Sequence, residues 1–339
     1  MDVMGEKKRV IVTMEPSNAR FAEIFADDIM ADLRQHADVI LNDLGRGFTT
    51  RELAERCGDI DAIVTTWGTP KIDKTVLDAA PRLKIVCHAA GSVKNFFGEE
   101  LWDAGIVVTS AARAMGVYVG EFALLLTLAL LRTLPKHVHG VPSGEWSGIP
   151  CDNWETLIGK TVGLIGLGHT GRSYLRFLAP YNCRLIAYDP YVKPEVAREL
   201  GVELVSLDEL LCTAKVISLH APITDETTGM LSAEKLRLVQ DGAVFINTAR
   251  GILIDHDALA TELATGRFKA ALDVTYPEPL PEGHPLRRLP NVLLTPHVAG
   301  PTPDGRRDMF RAVVDDLKLF WEGKPVANEV TRRMLATMA

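Results

Sequence analysis

The chain has 339 residues, with 37 Lys+Arg against 44 Asp+Glu, a net charge of −7, and 47% hydrophobic against 24% charged residues. That is too apolar for a disordered chain, and at roughly 150 residues per domain the length favours two domains over one. A mildly acidic chain with no Lys/Arg run gives no electrostatic reason to expect nucleic acid or an anionic membrane as a partner.

Short β-branched runs alternate with helical patterns along the whole length, as in α/β units built on parallel sheets. In the first third, strands are expected at residues 10–13, 39–41, 62–65, 85–88 and 107–109. An apolar stretch at 122–131 then breaks the pattern. Its ten residues are roughly half of what a bilayer span requires, so it reads as a buried core or interface helix. After the Pro/Gly-rich stretch 140–150, a second series of strands is expected at 162–165, 185–188, 216–219, 244–247, 270–273 and 292–294. That series has the size of a complete dinucleotide-binding domain, and its mid-chain start means that something else precedes it. A last helix at 304–321 follows the Pro-rich segment 299–303 and is placed to fold back on the first part of the chain.

Five cysteines (Cys57, Cys87, Cys151, Cys183, Cys212) are an odd number, widely spaced and without C-x-x-C. They speak against a disulfide framework or a zinc site and for a reducing, cytoplasmic setting; no metal is expected. The N-terminus runs from charges straight into a strand-like segment, without the apolar region of a signal peptide.

Residues 163–171, Gly-Leu-Ile-Gly-Leu-Gly-His-Thr-Gly, contain G-x-G-x-x-G directly after a strand, with a helix expected at 172–179. Gly166 permits the tight turn, Gly168 lets backbone approach a pyrophosphate, and Gly171 lets the helix pack close to the sheet. His169 and Thr170 complete the loop. Asp189 ends the next strand 18 residues after Gly171, where a carboxylate accepts hydrogen bonds from the adenosine ribose and repels a 2′-phosphate. Pro190 and Tyr191 follow where an NADP site usually offers arginine, so NAD is the expected cofactor.

Three further residues stand just past strands of the same series. Arg250, in Asn247-Thr248-Ala249-Arg250-Gly251, is suited to grip a carboxylate bidentately and polarise a carbonyl. Glu278 lies between Pro277 and Pro279, and His297 follows Pro296. Imidazole exchanges protons near neutral pH, and a carboxylate on its other nitrogen fixes the tautomer and favours the protonated ring. Each alone has a bland structural explanation; their spacings of 28 and 19 residues past strands of one sheet set them apart.

As an ordered set these motifs resemble the D-isomer-specific 2-hydroxyacid dehydrogenase family. The resemblance rests on the glycine loop with Asp189, His220-Ala221-Pro222 with Glu226-Thr227-Thr228-Gly229, residues 247–251, 273–279 and 295–300, Gly144-x-Trp146, and Val119-Gly120-Glu121. It implies a Rossmann dinucleotide-binding domain (113–299) inserted into a flavodoxin-like substrate domain (1–112 plus 300–339), in a cytoplasmic homodimer with the 122–131 helix at its interface. It implies that Arg250 binds substrate, His297 donates and accepts the proton, and Glu278 pairs with it. Cofactor contacts are implied for Gly166, Gly168, His169, Thr170, Gly171, Asp189, His220, Ala221, Pro222, Thr227, Thr248, Ala249, Arg250, Asp273, His297 and Gly300, and substrate contacts for Ala90, Gly91, Ser92, Arg250 and His297. Domain closure is expected about hinges near 111–115 and 299–303.

One segment departs from the family. Its substrate loop usually carries Asp-Asn, whereas residues 89–97 read Ala-Ala-Gly-Ser-Val-Lys-Asn-Phe-Phe. Lys94 is either a solvated charge or a feature favouring a more anionic substrate, and Trp67 either lines the pocket or belongs to the core. No regulatory domain is expected after the final helix. The other classes weighed are an NAD(H)-sensing, corepressor-like binding protein, short-chain reductases, formate dehydrogenases and methyltransferases. No Tyr-x-x-x-Lys is present for a short-chain reductase. Formate dehydrogenases carry Gln at the Glu278 position, and a methyltransferase would leave Arg250, Glu278 and His297 unexplained.

Overall fold

The computed structural model describes residues 7–144 and 154–338. Trp146 of the Gly144-x-Trp146 motif and Cys151 lie outside them. The chain divides into two compact units, one made of residues 1–115 with 301–338 and the other of residues 116–300.

The first unit is a five-stranded parallel sheet of β1 (Lys8–Val12), β2 (Ala37–Leu41), β3 (Ala62–Thr65), β4 (Ile85–His88) and β5 (Val107–Ser110), in the order β2-β1-β3-β4-β5. Period-two alternation sends Val10, Val12, Ala62, Val64, Ile85 and Cys87 into one apolar cluster. Ile11, Ile63, Val86 and Val108 enter another on the opposite face. Burial on both faces is why these strands read as unbroken apolar runs. The helix Pro303–Trp321 belongs to this unit and packs Phe310, Val313, Val314 and Leu317, an i, i+3, i+4, i+7 stripe, onto the first cluster.

The second unit is a seven-stranded parallel sheet of β6 (Thr161–Ile165), β7 (Arg184–Tyr188), β8 (Glu203–Leu204), β9 (Val216–Leu219), β10 (Val244–Asn247), β11 (Lys269–Leu272) and β12 (Val292–Leu294). Their order is β12-β11-β10-β9-β6-β7-β8, so chain direction through the sheet reverses between β9 and β6. This is the Rossmann-type α/β arrangement expected, and reversals of this kind are where such sheets bind ligands. The two-residue edge strand β8 carries too little pattern to be read from sequence.

Two helices differ from expectation. The helix after the glycine loop starts at His169, inside the fingerprint, rather than at Arg172. The apolar helix spans Ala112–Leu131, twenty residues rather than ten, long and apolar enough by length and composition to cross a membrane. Its Ala123, Leu126, Leu130 and Leu131 are buried against Val162, Leu164, Tyr174 and Leu178. The extra turns escaped notice because Gly116 and Gly120 interrupt the apolar run. Those glycines are the contact itself: a Cβ on Gly120 would lie 2.9 Å from the Tyr174 backbone nitrogen, and one on Gly116 3.1 Å from that of Thr170. Replacing Gly120 by Val therefore forces the phosphate-loop helix away, and we expect a loss of about 1–3 kcal/mol in chemical denaturation; an unchanged midpoint would contradict this packing.

Candidate active site

Gly166 turns the chain at the end of β6 with φ +100°, and a Cβ there would meet the His220 carbonyl carbon and the Ala221 nitrogen at 2.9 Å. The helix beginning at His169 has Gly168 as its N-cap, in extended backbone and without a side-chain cap among the described residues. The N–H groups of its first turn and the helix dipole favour an anion at this end. Thr170 and Gly171 lie in that first turn. Asp189, just past β7, accepts from the Leu167 amide (2.8 Å) on one oxygen and from the Tyr191 amide (2.9 Å) on the other. Its carboxylate is thereby held beside the glycine loop with lone pairs to spare. These features fit a dinucleotide: a turn only glycine tolerates, an uncapped helix start, and a fixed acid one strand away.

On the opposite side of β6 lies β9, whose end carries His220, Ala221 and Pro222. His220 is buried, shares a 2.9 Å hydrogen bond with Ser218 through Nε2, and packs its ring 5.4 Å from that of Tyr174. Thr227 closes the following turn by donating to the Pro222 carbonyl at 2.6 Å. The Tyr191 hydroxyl donates to Glu226 at 2.8 Å, joining the loops that follow β7 and β9, the two strands flanking β6. Sequence spacing gave no hint of this bridge, because its partners are 35 residues apart.

Arg250, Glu278 and His297 follow β10, β11 and β12, three neighbouring strands of the same sheet. Asn247, fully buried, shapes the first loop: its side chain accepts from the Ala249 amide (2.9 Å) and donates to the Arg250 carbonyl (3.0 Å). Arg250 Nη1 donates to the Ala249 carbonyl at 2.6 Å. Burial lowers the guanidinium's proton affinity, and the Glu278 carboxylate opposes that. Thr248 beside it is buried, with a hydroxyl that has no hydrogen-bond partner among the described residues.

His297 Nδ1 lies 2.6 Å from Glu278 Oε1, both side chains being about half exposed. With that nitrogen engaged, Nε2 is the one left for proton exchange. The pair borders a cavity of about 570 Å³ that also includes Asp273, Thr275 and Arg287. His297 has φ +54°, a left-handed conformation costly for a side chain with a Cβ. The strain is held by Asp273, which is 1% exposed. Its Oδ1 accepts from the Thr295 hydroxyl (2.6 Å) and the Val298 amide (2.9 Å), and its Oδ2 from the Ala299 amide (2.8 Å). Expected as a cofactor contact, Asp273 has its carboxylate turned into the loop that carries His297. Gly300 closes that loop.

In the first unit, β4 runs into Ala89, Ala90, Gly91 and Ser92. The Ser92 hydroxyl accepts weakly from the Lys94 amide (3.4 Å), and Lys94 itself is exposed. His88, fully buried before this loop, meets the Thr65 hydroxyl at 2.8 Å through Nδ1. Trp67 packs against the core cluster and also lines a cavity of its own unit.

Residues 124–299 match the model of the D-isomer specific 2-hydroxyacid dehydrogenase NAD binding domain. Across 84% of its length the chain is 34% identical to the glyoxylate reductase of Thermococcus litoralis, covering 88% of that protein. It is 35% identical to the D-3-phosphoglycerate dehydrogenase of Methanocaldococcus jannaschii over 88% of its length, covering 58% of that protein. The chain thus spans little more than half the length of the phosphoglycerate dehydrogenases it matches. A phosphoglycerate oxidoreductase from Rhizobium etli superposes with a TM-score of 0.83 at 26% identity, over 96% of this chain and 99% of that one. The chain belongs to the D-isomer specific 2-hydroxyacid dehydrogenase family.

His88 and His220 are both buried, and burial pulls each down to about 3 from an ordinary 6.5. Between those values the unfolded chain binds protons that the folded one refuses. Stability is therefore fully present above pH ~6.5 and falls as pH drops toward 3, by up to about 1.4 kcal/mol per pH unit for each histidine. Melting temperatures measured from pH 7 to pH 4 should show a shallower decline in His88→Asn and His220→Asn than in the parent; parallel curves would refute this.

Proposed function

We propose that the protein is an NAD-dependent D-2-hydroxyacid dehydrogenase acting as a 2-oxo acid reductase. The observation that carries this reading is the His297–Glu278 pair at 2.6 Å, one strand from Arg250 on the same sheet edge as the glycine loop. When bound, the dihydronicotinamide supplies the hydride that reduces C2 of the oxo acid. Arg250, backed by Asn247, binds the substrate carboxylate and polarises the C2 carbonyl. His297 delivers a proton from Nε2 to the resulting oxyanion, while Glu278 orients the ring and stabilises its protonated form. A D-2-hydroxy acid leaves; in the first unit, the amides of the Ala90–Ser92 segment are proposed as carboxylate donors.

The loops after β6, β7 and β9 are proposed to hold the pyrophosphate and adenosine. Asp189 beside the glycine loop, with Glu226 bonded to the neighbouring Tyr191, supports NAD over NADP, because like charge there opposes a 2′-phosphate. A cytoplasmic homodimer is also proposed. Its interface would cover exposed apolar residues on and just after the Ala112–Leu131 helix, among them Leu125 at 55% and Val138 at 58% exposure.

Two measurements test the reading. His297→Ala should lower kcat by about 10²–10⁴-fold in NADH oxidation with a 2-oxo acid, while NADH binding by fluorescence is retained; near-normal kcat would sink the assignment. In titrations, NADH should bind more tightly than NADPH, and Asp189→Ala should narrow the difference. Equal affinities in the parent protein would remove the basis for NAD preference.

A further inference from the structure

The first unit has a reversal point of its own. Its strand order turns round between β1 and β3, and open α/β sheets take ligands outside the carboxyl ends of strands at such a point. A cavity of about 240 Å³ lies there, walled by Thr13, Glu15 and Asn18 after β1 and by Trp67 and Thr69 after β3. Pockets that enclose whole small ligands run to roughly 300–1,000 Å³, so this one suits part of a molecule. The adjoining strand β4 leads into residues 89–92, and the Thr66 hydroxyl ties the two loops together by donating to the Ala89 carbonyl at 3.2 Å. Cavity and proposed carboxylate-binding amides therefore belong to one edge of one unit.

The chemistry of the walls is one-sided. Among the described residues the lining carries one carboxylate, Glu15, and no lysine or arginine. Asn18 donates to Glu15 Oε1 at 3.2 Å, which steadies the carboxylate and leaves Oε2 for a ligand. Thr69 donates to the Thr13 hydroxyl at 3.2 Å, placing a pair of hydroxyls in the same wall. Arg46, adjacent to the lining residue Gly47, is committed elsewhere. Its guanidinium donates to both oxygens of Glu52 (3.0 and 2.6 Å) and holds that carboxyl down at about 2. Lys94 is not part of the lining.

We propose that this cavity receives the side chain of the 2-oxo acid and selects a tail that donates hydrogen bonds, such as a hydroxyl, while rejecting phosphate and carboxylate tails. The assignment rests on the oxidoreductase reading above. A hydroxyl finds acceptors in Glu15 and the threonines and an apolar wall in the Trp67 indole. A phosphate brought against Glu15 meets like charge with no cation in the lining to offset it.

The test is NADH oxidation by hydroxypyruvate, 3-phosphohydroxypyruvate and 2-oxoglutarate in the parent protein, Glu15→Gln and Glu15→Lys. The parent should favour hydroxypyruvate over its phosphorylated form by on the order of 100-fold in kcat/KM. Glu15→Lys should shrink that ratio at least about tenfold, mainly through the KM of the phosphorylated acid, with Glu15→Gln intermediate. Glu15→Gln carries the test if the lysine variant does not fold. A parent that uses the phosphorylated acid as well as or better than hydroxypyruvate overturns the cavity assignment alone, as does a ratio unmoved in the folded variants. No oxidation with any of the three acids overturns the oxidoreductase reading, and the cavity assignment with it.

Discussion

A buried carboxylate holds the site together. Asp273 satisfies a hydroxyl and two amides of the segment after β12, and the His297 amide adds a 2.8 Å bond to the Asp273 carbonyl. A charge taken out of water this completely is tolerable only when hydrogen bonds replace its hydration. The same bonds that compensate Asp273 hold His297 in its left-handed backbone and present Nδ1 to Glu278. The ring's position thus depends on core geometry rather than on the mobility of a surface loop, as a proton-transfer group requires. Asn247 does the corresponding work one strand away, so the loops carrying Arg250 and His297 are each shaped by a buried residue that does not itself react.

Glycine plays a second, purely spatial part. Gly166 lets the phosphate turn close against the His220–Ala221 backbone, and Gly116 and Gly120 let the long apolar helix lie directly on the helix that starts at His169. The uncapped start of that helix is therefore braced from behind by backbone rather than by adaptable side chains. Close-packed contacts of this kind have little room to relax, which keeps the N–H groups of that first turn in place.

Much of this was legible beforehand because it obeys local rules. Parallel strands buried on both faces appear as short β-branched runs, and the glycine loop, Asp189, Arg250, Glu278 and His297 each stand at a strand end, where residue type and position are informative. What escaped notice depends on contacts between distant segments. The Tyr191–Glu226 bridge, the inward turn of Asp273 and the bracing by Gly116 and Gly120 have no periodicity to betray them. Asn247 was visible as part of a motif but not as the residue shaping its loop, since an asparagine after a strand is ordinary turn chemistry. Trp67 could not be assigned from sequence because an aromatic at a strand end suits a core and a cavity wall alike, and here it packs on the core while bordering a cavity.

The discontinuous make-up of the first unit bears on how the protein is made. Residues 301–338 supply the helix that covers Val10, Val12 and Phe25. They also supply the segment beyond it that pairs with β5, through Val330 to the Val108 carbonyl (2.7 Å) and Ser110 to the Asn328 carbonyl (3.1 Å). On the ribosome, the first five strands emerge well before residues 301–338 and keep an apolar face and an open sheet edge until those residues arrive. The second unit, drawn from one continuous stretch, has no such wait. Synthesis order and folding order are therefore inverted: the part made first is finished last, and in the interval its exposed edge is the surface on which chaperones or misassembly act.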